Sequence, residues 1–85
     1  MTMWRPLPLD YVILEVLKKK GEGVTLTEKE LYDEVVRSAG YEVPYGDFLR
    51  ALMKLEMYGY ISVYMVKENF RHITYLGEKF LGEQG

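Results

Sequence analysis

The side chains in this sequence that could do chemistry are few. The 85 residues include no cysteine and a single histidine, His72. Thiolate chemistry, a disulfide framework and a metal site built from several histidines are therefore excluded. No glycine-rich loop follows a strand pattern, so a phosphate cradle is not indicated either. We predict no catalytic residue, no metal and no cofactor, and we expect that the protein is not an enzyme.

Four basic side chains and one tyrosine have a spacing that suits contact with DNA. Arg50 and Lys54 are one helical turn apart, a spacing that could reach a base edge and a phosphate. Lys67 and Arg71 flank a predicted hairpin turn, from which they could contact the DNA backbone. Tyr45 lies at the start of the same helix as Arg50. The alternative interpretation is an ordinary solvated surface.

Three apolar residues lie in the same helical segment as these cations. Met53 and Met57 are also one turn apart, and Tyr58 follows directly. Flexible thioethers suit adaptable protein surfaces. These three residues are therefore candidates for a protein or homodimer interface. The alternative is that the helix is rotated and the two methionines belong to the core.

Length and composition limit the chain to one small domain. The sequence is 48% apolar and 28% charged, as is typical of a folded soluble domain. Eleven basic and thirteen acidic residues give a net charge of −2, whereas nucleic-acid binders usually carry a basic excess. No apolar run approaches the roughly 18 residues of a membrane span. The first residues lack the apolar stretch of a signal peptide, so we do not expect secretion. We expect a cytoplasmic protein, with a composition similar to that of thermophile proteins.

The hydrophobic pattern predicts three helices. Apolar residues recur at helical spacing over the ranges 10–20, 27–39 and 45–58. Thr27 and Glu30 have the spacing of a capping box at the start of the second helix. The carboxylates on that helix are predicted to form a solvated face; they are Glu28, Asp33 and Glu34. In the third helix the predicted core face consists of Phe48, Leu52 and Leu55.

Strand patterns flank the second and third helices. A short strand is predicted over residues 24–26. After Gly59 the period changes from 3.6 to 2, which predicts a hairpin with strands near residues 61–66 and 70–76. These elements give the domain bounds. We predict an extended N-terminal arm over residues 1–8, which packs back through its tryptophan, a folded domain over residues 9–81 and a C-terminal tail over residues 82–85.

Two local motifs resemble those of the winged helix-turn-helix superfamily. The segment LMKLEMYGYI, residues 52–61, is similar to the end of a recognition helix that runs into the wing. The segment ITYLG, residues 73–77, resembles the wing ending of MarR-like and PadR-like regulators. The resemblance covers about residues 8–81. It implies an α+β fold with a three-helix core, a short first strand and a two-stranded β-hairpin wing.

The resemblance implies two kinds of function. Winged-helix regulators of transcription place the third helix in the major groove and the wing on the DNA backbone. The small archaeal winged-helix proteins that this chain resembles also serve as accessory subunits of replication or transcription machinery. Residues 41–72 contain four basic and four acidic residues, so long-range attraction to phosphate is weak. The sequence favours binding of double-stranded DNA, as a dimer or at a preferred sequence, and leaves open a protein-docking module that uses the third helix.

Overall fold

The computed structural model describes residues 8–67 and 70–77. Its elements, in chain order, are α1 Leu9–Lys20, β1 Thr25–Thr27, α2 Glu28–Ala39, α3 Tyr45–Met57, β2 Ile61–Lys67 and β3 Phe70–Tyr75. The three helices lie within one residue of their predicted bounds. The predicted packing of the arm and the predicted tail lie outside the described residues. No helix in the described part is long and apolar enough to cross a membrane.

The three strands form one antiparallel sheet in the order β1-β3-β2. The hairpin of β2 and β3 has an irregular register between Met65 and Lys67. β1 is shifted by one residue from the prediction. It begins at Thr25 and extends to Thr27, which pairs with His72 before its side chain caps α2. The pairing of β1 with β3 was not predicted. It ties the first turn of α2 to the hairpin.

The core lies between the three helices and the inner face of the sheet. Its buried side chains are Val12, Ile13, Val16, Leu17, Leu31, Val35, Val43, Phe48, Ala51, Leu52, Leu55, Ile61, Ile73 and Tyr75. The predicted core face of α3 is confirmed, since Phe48, Leu52 and Leu55 are all buried. Burial of this face fixes the rotation of α3 about its axis.

Local hydrogen bonds set where α2 begins and where α3 ends. The predicted capping box is confirmed: the Glu30 N–H donates to Thr27 Oγ1 at 3.1 Å, and the Thr27 N–H donates to Glu30 Oε1 at 3.0 Å. After α3, Gly59 has a φ of 88°, a conformation that favours glycine. The Tyr60 N–H bonds the Leu55 carbonyl at 3.0 Å, as in a Schellman motif. This turn sets the angle between α3 and the hairpin.

Candidate functional site

The outer face of α3 presents two methionines to solvent. Met53 is 61% exposed and Met57 is 80% exposed. The buried residues Phe48, Leu52 and Leu55 hold the opposite face of the helix against the core. The alternative interpretation, in which the methionines belong to the core, is therefore wrong. An exposed apolar stripe remains on the helix.

A shallow groove of about 680 Å³ runs between the start of α1 and the outer face of α3. Its lining consists of Leu9, Asp10, Asp47, Arg50, Ala51, Met53, Lys54, Met57 and Tyr58. The larger apolar side chains come from both helices, and four charged residues flank them. We call this feature the α1–α3 groove. It brings together Arg50 and Lys54, predicted for DNA, and the three residues predicted for a protein interface.

Each cation of the groove is paired with a carboxylate of the same groove. The Arg50 guanidinium donates to Asp47, three residues earlier on α3. Lys54 Nζ lies 3.3 Å from Asp10 Oδ2 on α1. The side chains of Arg50 and Lys54 remain 74% and 52% exposed, so both pairs lie in high-dielectric surroundings and are weak. The four groups cancel in formal charge.

The two cations predicted on the hairpin differ in exposure and in ion pairing. Lys67 is exposed and makes no ion pair with any residue of 8–67 or 70–77. Arg71 Nη1 lies 2.5 Å from Glu28 Oε1, and Glu28 is only 9% exposed. The prediction of a solvated carboxylate at Glu28 is therefore wrong, although Asp33 and Glu34 reach solvent. The reason is the unpredicted β1–β3 pairing, which brings Arg71 beside the first turn of α2.

A second, smaller depression separates α3 from the hairpin. It has a volume of about 160 Å³ and is lined by Leu49, Leu52, Met53, Glu56, Val63 and Arg71. Met53 lines both this cleft and the α1–α3 groove. The apolar surface of α3 thus continues from α1 on one side to the hairpin on the other.

Tyr45 does not join the groove, although the sequence placed it among the candidate DNA contacts. Its ring packs edge-on against Tyr32 at a centroid distance of 5.0 Å and lies 5.9 Å from Phe48. The Tyr32 hydroxyl donates to the Val43 carbonyl at 2.6 Å, which holds the connection between α2 and α3. Tyr45 therefore belongs to an aromatic cluster that supports the start of α3.

Sequence reasoning missed a run of exposed apolar residues in β2. Tyr64, Met65 and Val66 are consecutive and all exposed. The Tyr64 ring centroid lies 5.7 Å from that of His72 on the neighbouring strand. The signal was present in the sequence, because a strand with one covered face cannot bury three consecutive side chains.

Comparisons with known proteins add no family to this description. No family model, no curated protein and no solved structure matches the chain. Within the described ranges, no three histidine or carboxylate side chains are grouped closely enough to hold a metal ion. The surface of α3 is therefore the feature from which a function can be proposed.

Proposed function

We propose that this protein is a winged-helix module that binds another protein through the α1–α3 groove. The order of three helices and the antiparallel sheet are compatible with a winged-helix layout. The observation that carries the proposal is the exposure of Met53 and Met57 side by side on α3, at 61% and 80%. An apolar centre surrounded by charged residues is the usual anatomy of a protein interface.

The electrostatics of the same surface support a protein partner more strongly than DNA. Arg50 and Lys54 are paired with Asp47 and Asp10, and Glu56 adds a further negative charge beside Met53. DNA affinity depends on neutralising phosphates with cations. A surface on which carboxylates already neutralise the cations offers little of that attraction.

The groove indicates the chemistry of its partner. α3 has 13 residues, which corresponds to a length of about 20 Å. Its apolar side chains recur at i and i+4, which complements an amphipathic helix that presents apolar residues at i, i+3, i+4 and i+7. Carboxylates and cations both border the groove, so the partner helix is expected to carry charges of both signs next to its apolar stripe.

Site-specific photo-crosslinking in the native host cell tests this proposal. A photoreactive amino acid replaces Met57 in the groove and, as the matched control, Met65 on the hairpin. Both methionines are exposed, so the two positions differ mainly in location. We expect Met57 to give one protein adduct that Met65 does not give. The purified partner should then bind the unsubstituted chain.

A charge substitution completes the test with purified components. Met53→Glu with Met57→Glu places two charges in the apolar centre and should weaken binding by at least about 2 kcal/mol if these residues are hot spots. Met65→Glu should leave affinity unchanged, and circular dichroism should show that all variants are folded. Equal affinity for the doubly substituted chain would contradict the proposal.

DNA binding is the second candidate function, with α3 in the major groove and the hairpin on the backbone. One observation favours it: the Arg50 and Lys54 side chains remain 74% and 52% exposed, and exposed ion pairs are weak. A phosphate could therefore replace either carboxylate. Gel-shift titrations at low and moderate salt test this candidate, which requires Arg50→Ala with Lys54→Ala to reduce affinity. Undetectable binding at low salt would eliminate it.

A further inference from the structure

We propose that two copies of this chain associate through the outer edge of β2, so that their two sheets join into one. β2 is the edge strand in the order β1-β3-β2, and within residues 8–67 and 70–77 its only sheet partner is β3. None of its residues, Ile61–Lys67, lines the α1–α3 groove. The dimer therefore uses a second surface and does not rest on the proposed function.

The ladder between β2 and β3 shows which backbone groups of β2 remain available. The Leu76 N–H donates to the Tyr60 carbonyl at 2.9 Å. In the next pair Ile61 lies opposite Tyr75, whose carbonyl accepts instead from the Gly23 N–H, just before β1. Pairs that do and do not exchange hydrogen bonds alternate in this way along an antiparallel ladder. From Ile61 onward, every second residue of β2 therefore turns its N–H and C=O groups away from β3.

Three residues of β2 carry such outward backbone groups, namely Ile61, Val63 and Met65. The register with β3 is regular from Ile61 to Met65 and shifts only between Met65 and Lys67. A strand edge of this kind is a template for a further strand, and proteins usually blunt it with charged residues, proline or a bulge. Here the shift and Lys67 lie at the far end of β2, and residues 59–66 contain neither a charged residue nor a proline. The regular part of this edge therefore remains open to pairing in the described part of the chain.

A two-fold axis beside Val63 matches this edge with itself. Val63 then lies opposite Val63 of the second copy, and Ile61 of each copy lies opposite Met65 of the other. All residues with outward groups face one another, so each of these pairs forms both of its hydrogen bonds. An axis at Ser62 or Tyr64 would match only two of the three residues. The contact is isologous, because both copies contribute the same strand.

The side chains next to the edge also suit a second copy. Because residues 59–66 are uncharged, antiparallel pairing of two copies sets no like charges opposite each other. Met65 is exposed and would lie opposite Ile61 of the second copy. Tyr64 is also exposed and would reach Tyr64 of the second copy, since diagonal neighbours in such a pair are about 7–8 Å apart. The pairing would thus cover part of the run of exposed apolar residues in β2.

Pairing of β2 with β2 closes the assembly at two chains. Each copy uses its own β2 edge once, so no further copy can join there. The opposite edge of the sheet is β1, which is only three residues long and leads directly into α2. A contact of one strand per copy is small beside the roughly 800 Å² per partner of stable complexes. We therefore expect a dimer that dissociates on dilution.

Hydrogen exchange of individual amides, followed by NMR in the unsubstituted chain, tests the pairing directly. The N–H groups of Val63 and Met65 point away from β3. They should therefore exchange several-fold more slowly when a higher protein concentration converts monomer into dimer. The N–H groups of Ser62 and Tyr64 bond β3 in both states, so they are the matched controls, and their exchange should change less. Sedimentation over the same concentrations identifies the species.

Three outcomes of this experiment would overturn the proposal. The first is a chain that remains monomeric up to its highest soluble concentration. The second is slow exchange at Val63 and Met65 in a chain that sediments as a monomer, because the edge would then be covered within one chain. The third is a dimer in which these two amides gain no protection, because the contact would then lie on another surface.

Substitutions give a second test that uses the oligomeric state alone. Met65→Glu changes an exposed side chain and places a charge opposite Ile61 of the second copy, so it should weaken the dimer several-fold. Met57→Glu, at an exposed position on α3, is the matched control and should leave the dimer unchanged. Val63→Pro removes the central N–H, which β3 does not use, and should abolish the dimer while circular dichroism shows a folded chain. Equal dimerisation of Met65→Glu and Met57→Glu would overturn the proposal.

The same variants separate the dimer from the docking function. Met65→Glu leaves the α1–α3 groove intact, so a monomeric Met65→Glu chain should still bind the partner. Met53→Glu with Met57→Glu should lose the partner and still form the dimer. In the purified chain at high concentration, a photoreactive group at Met65 should capture a second copy of the chain. If it captures none, the β2 contact is wrong, whatever the outcome of crosslinking at Met57.

Discussion

Both faces of α3 carry apolar residues, but one face is buried and the other is exposed to solvent. The inner face places Phe48, Leu52 and Leu55 in the core with at most 3% exposure. The outer face places Met53 and Met57 in solvent. The inner residues hold the domain together, whereas the outer ones bury little surface in the described fold. Exposed apolar patches often mark interaction sites. Under the proposed function, the inner face of α3 supports the fold and the outer face would bind the partner.

The largest expected effect comes from truncating one residue on each face of α3 and comparing the two losses of stability. Leu55→Ala removes a buried side chain and should lower the free energy of unfolding by about 2–5 kcal/mol, through lost transfer energy and the cavity that remains. Met57→Ala should change it by less than about 0.5 kcal/mol, as is usual for surface positions. Urea unfolding followed by circular dichroism measures both. Similar losses at the two positions would show that the outer face also supports the fold.

The separation of these faces could be predicted from the sequence, because it depends on local periodicity. Spacing predicted Phe48 and Leu55 in the core, and the capping box fixed the start of α2. For Met53 the spacing left a rotated helix open, and only the structure shows that this residue is exposed. The second wall of the groove could not be predicted in this way. Leu9 and Asp10 are more than 40 residues from Met53, and only the packing of α1 against α3 brings them together.

Long-range pairing also explains the main error. Glu28 occupies a position that local reasoning assigns to solvent, since a carboxylate in the first turn of a helix is favoured there. The antiparallel pairing of β1 with β3 sets Arg71 beside it, 43 residues later in the chain. Pairings of this kind depend on the tertiary fold, so they cannot be predicted from the spacing of residues within α2.

The next prediction compares two ion pairs: the partly buried pair of Arg71 with Glu28 and the exposed pair of Arg50 with Asp47. Arg71→Met keeps a stem of similar length but leaves the buried Glu28 carboxylate without its cation. The expected loss is about 2 kcal/mol, below the roughly 3–5 kcal/mol for breaking a buried pair, because the Arg71 side chain is 40% exposed. Glu28→Gln in the same chain should recover part of the loss, since the buried charge is then gone. Arg50→Met, on the outer face of α3, is the matched control and should change stability by less than about 0.5 kcal/mol.

Thermal or urea unfolding of these three variants and of the unsubstituted chain gives the comparison directly. A loss at Arg50 as large as that at Arg71 would mean that the Asp47 pair holds the fold together and is not a loosely held surface contact. Absence of recovery in the double variant would mean that Arg71 acts through packing and not through its charge.

The smallest expected effect concerns the Asp47–Arg50 pair itself. A double-mutant cycle with Asp47→Ala and Arg50→Ala isolates the coupling between the two side chains. The cycle is needed because Asp47 also lies in the first turn of α3, where a negative charge is favourable whether or not Arg50 is present. For an exposed pair three residues apart we expect a coupling of about 0.3–0.5 kcal/mol.

Raising the salt concentration should reduce the coupling between Asp47 and Arg50 further, because exposed charges are screened. The same cycle on Glu28 and Arg71 should give a larger coupling that salt changes less. A coupling of Asp47 with Arg50 above about 1 kcal/mol would exceed the usual range of exposed pairs, and Arg50 would then be held by its own helix. A weak coupling leaves the guanidinium able to exchange Asp47 for a carboxylate of a docked partner, as a charged residue at the edge of an interface must do.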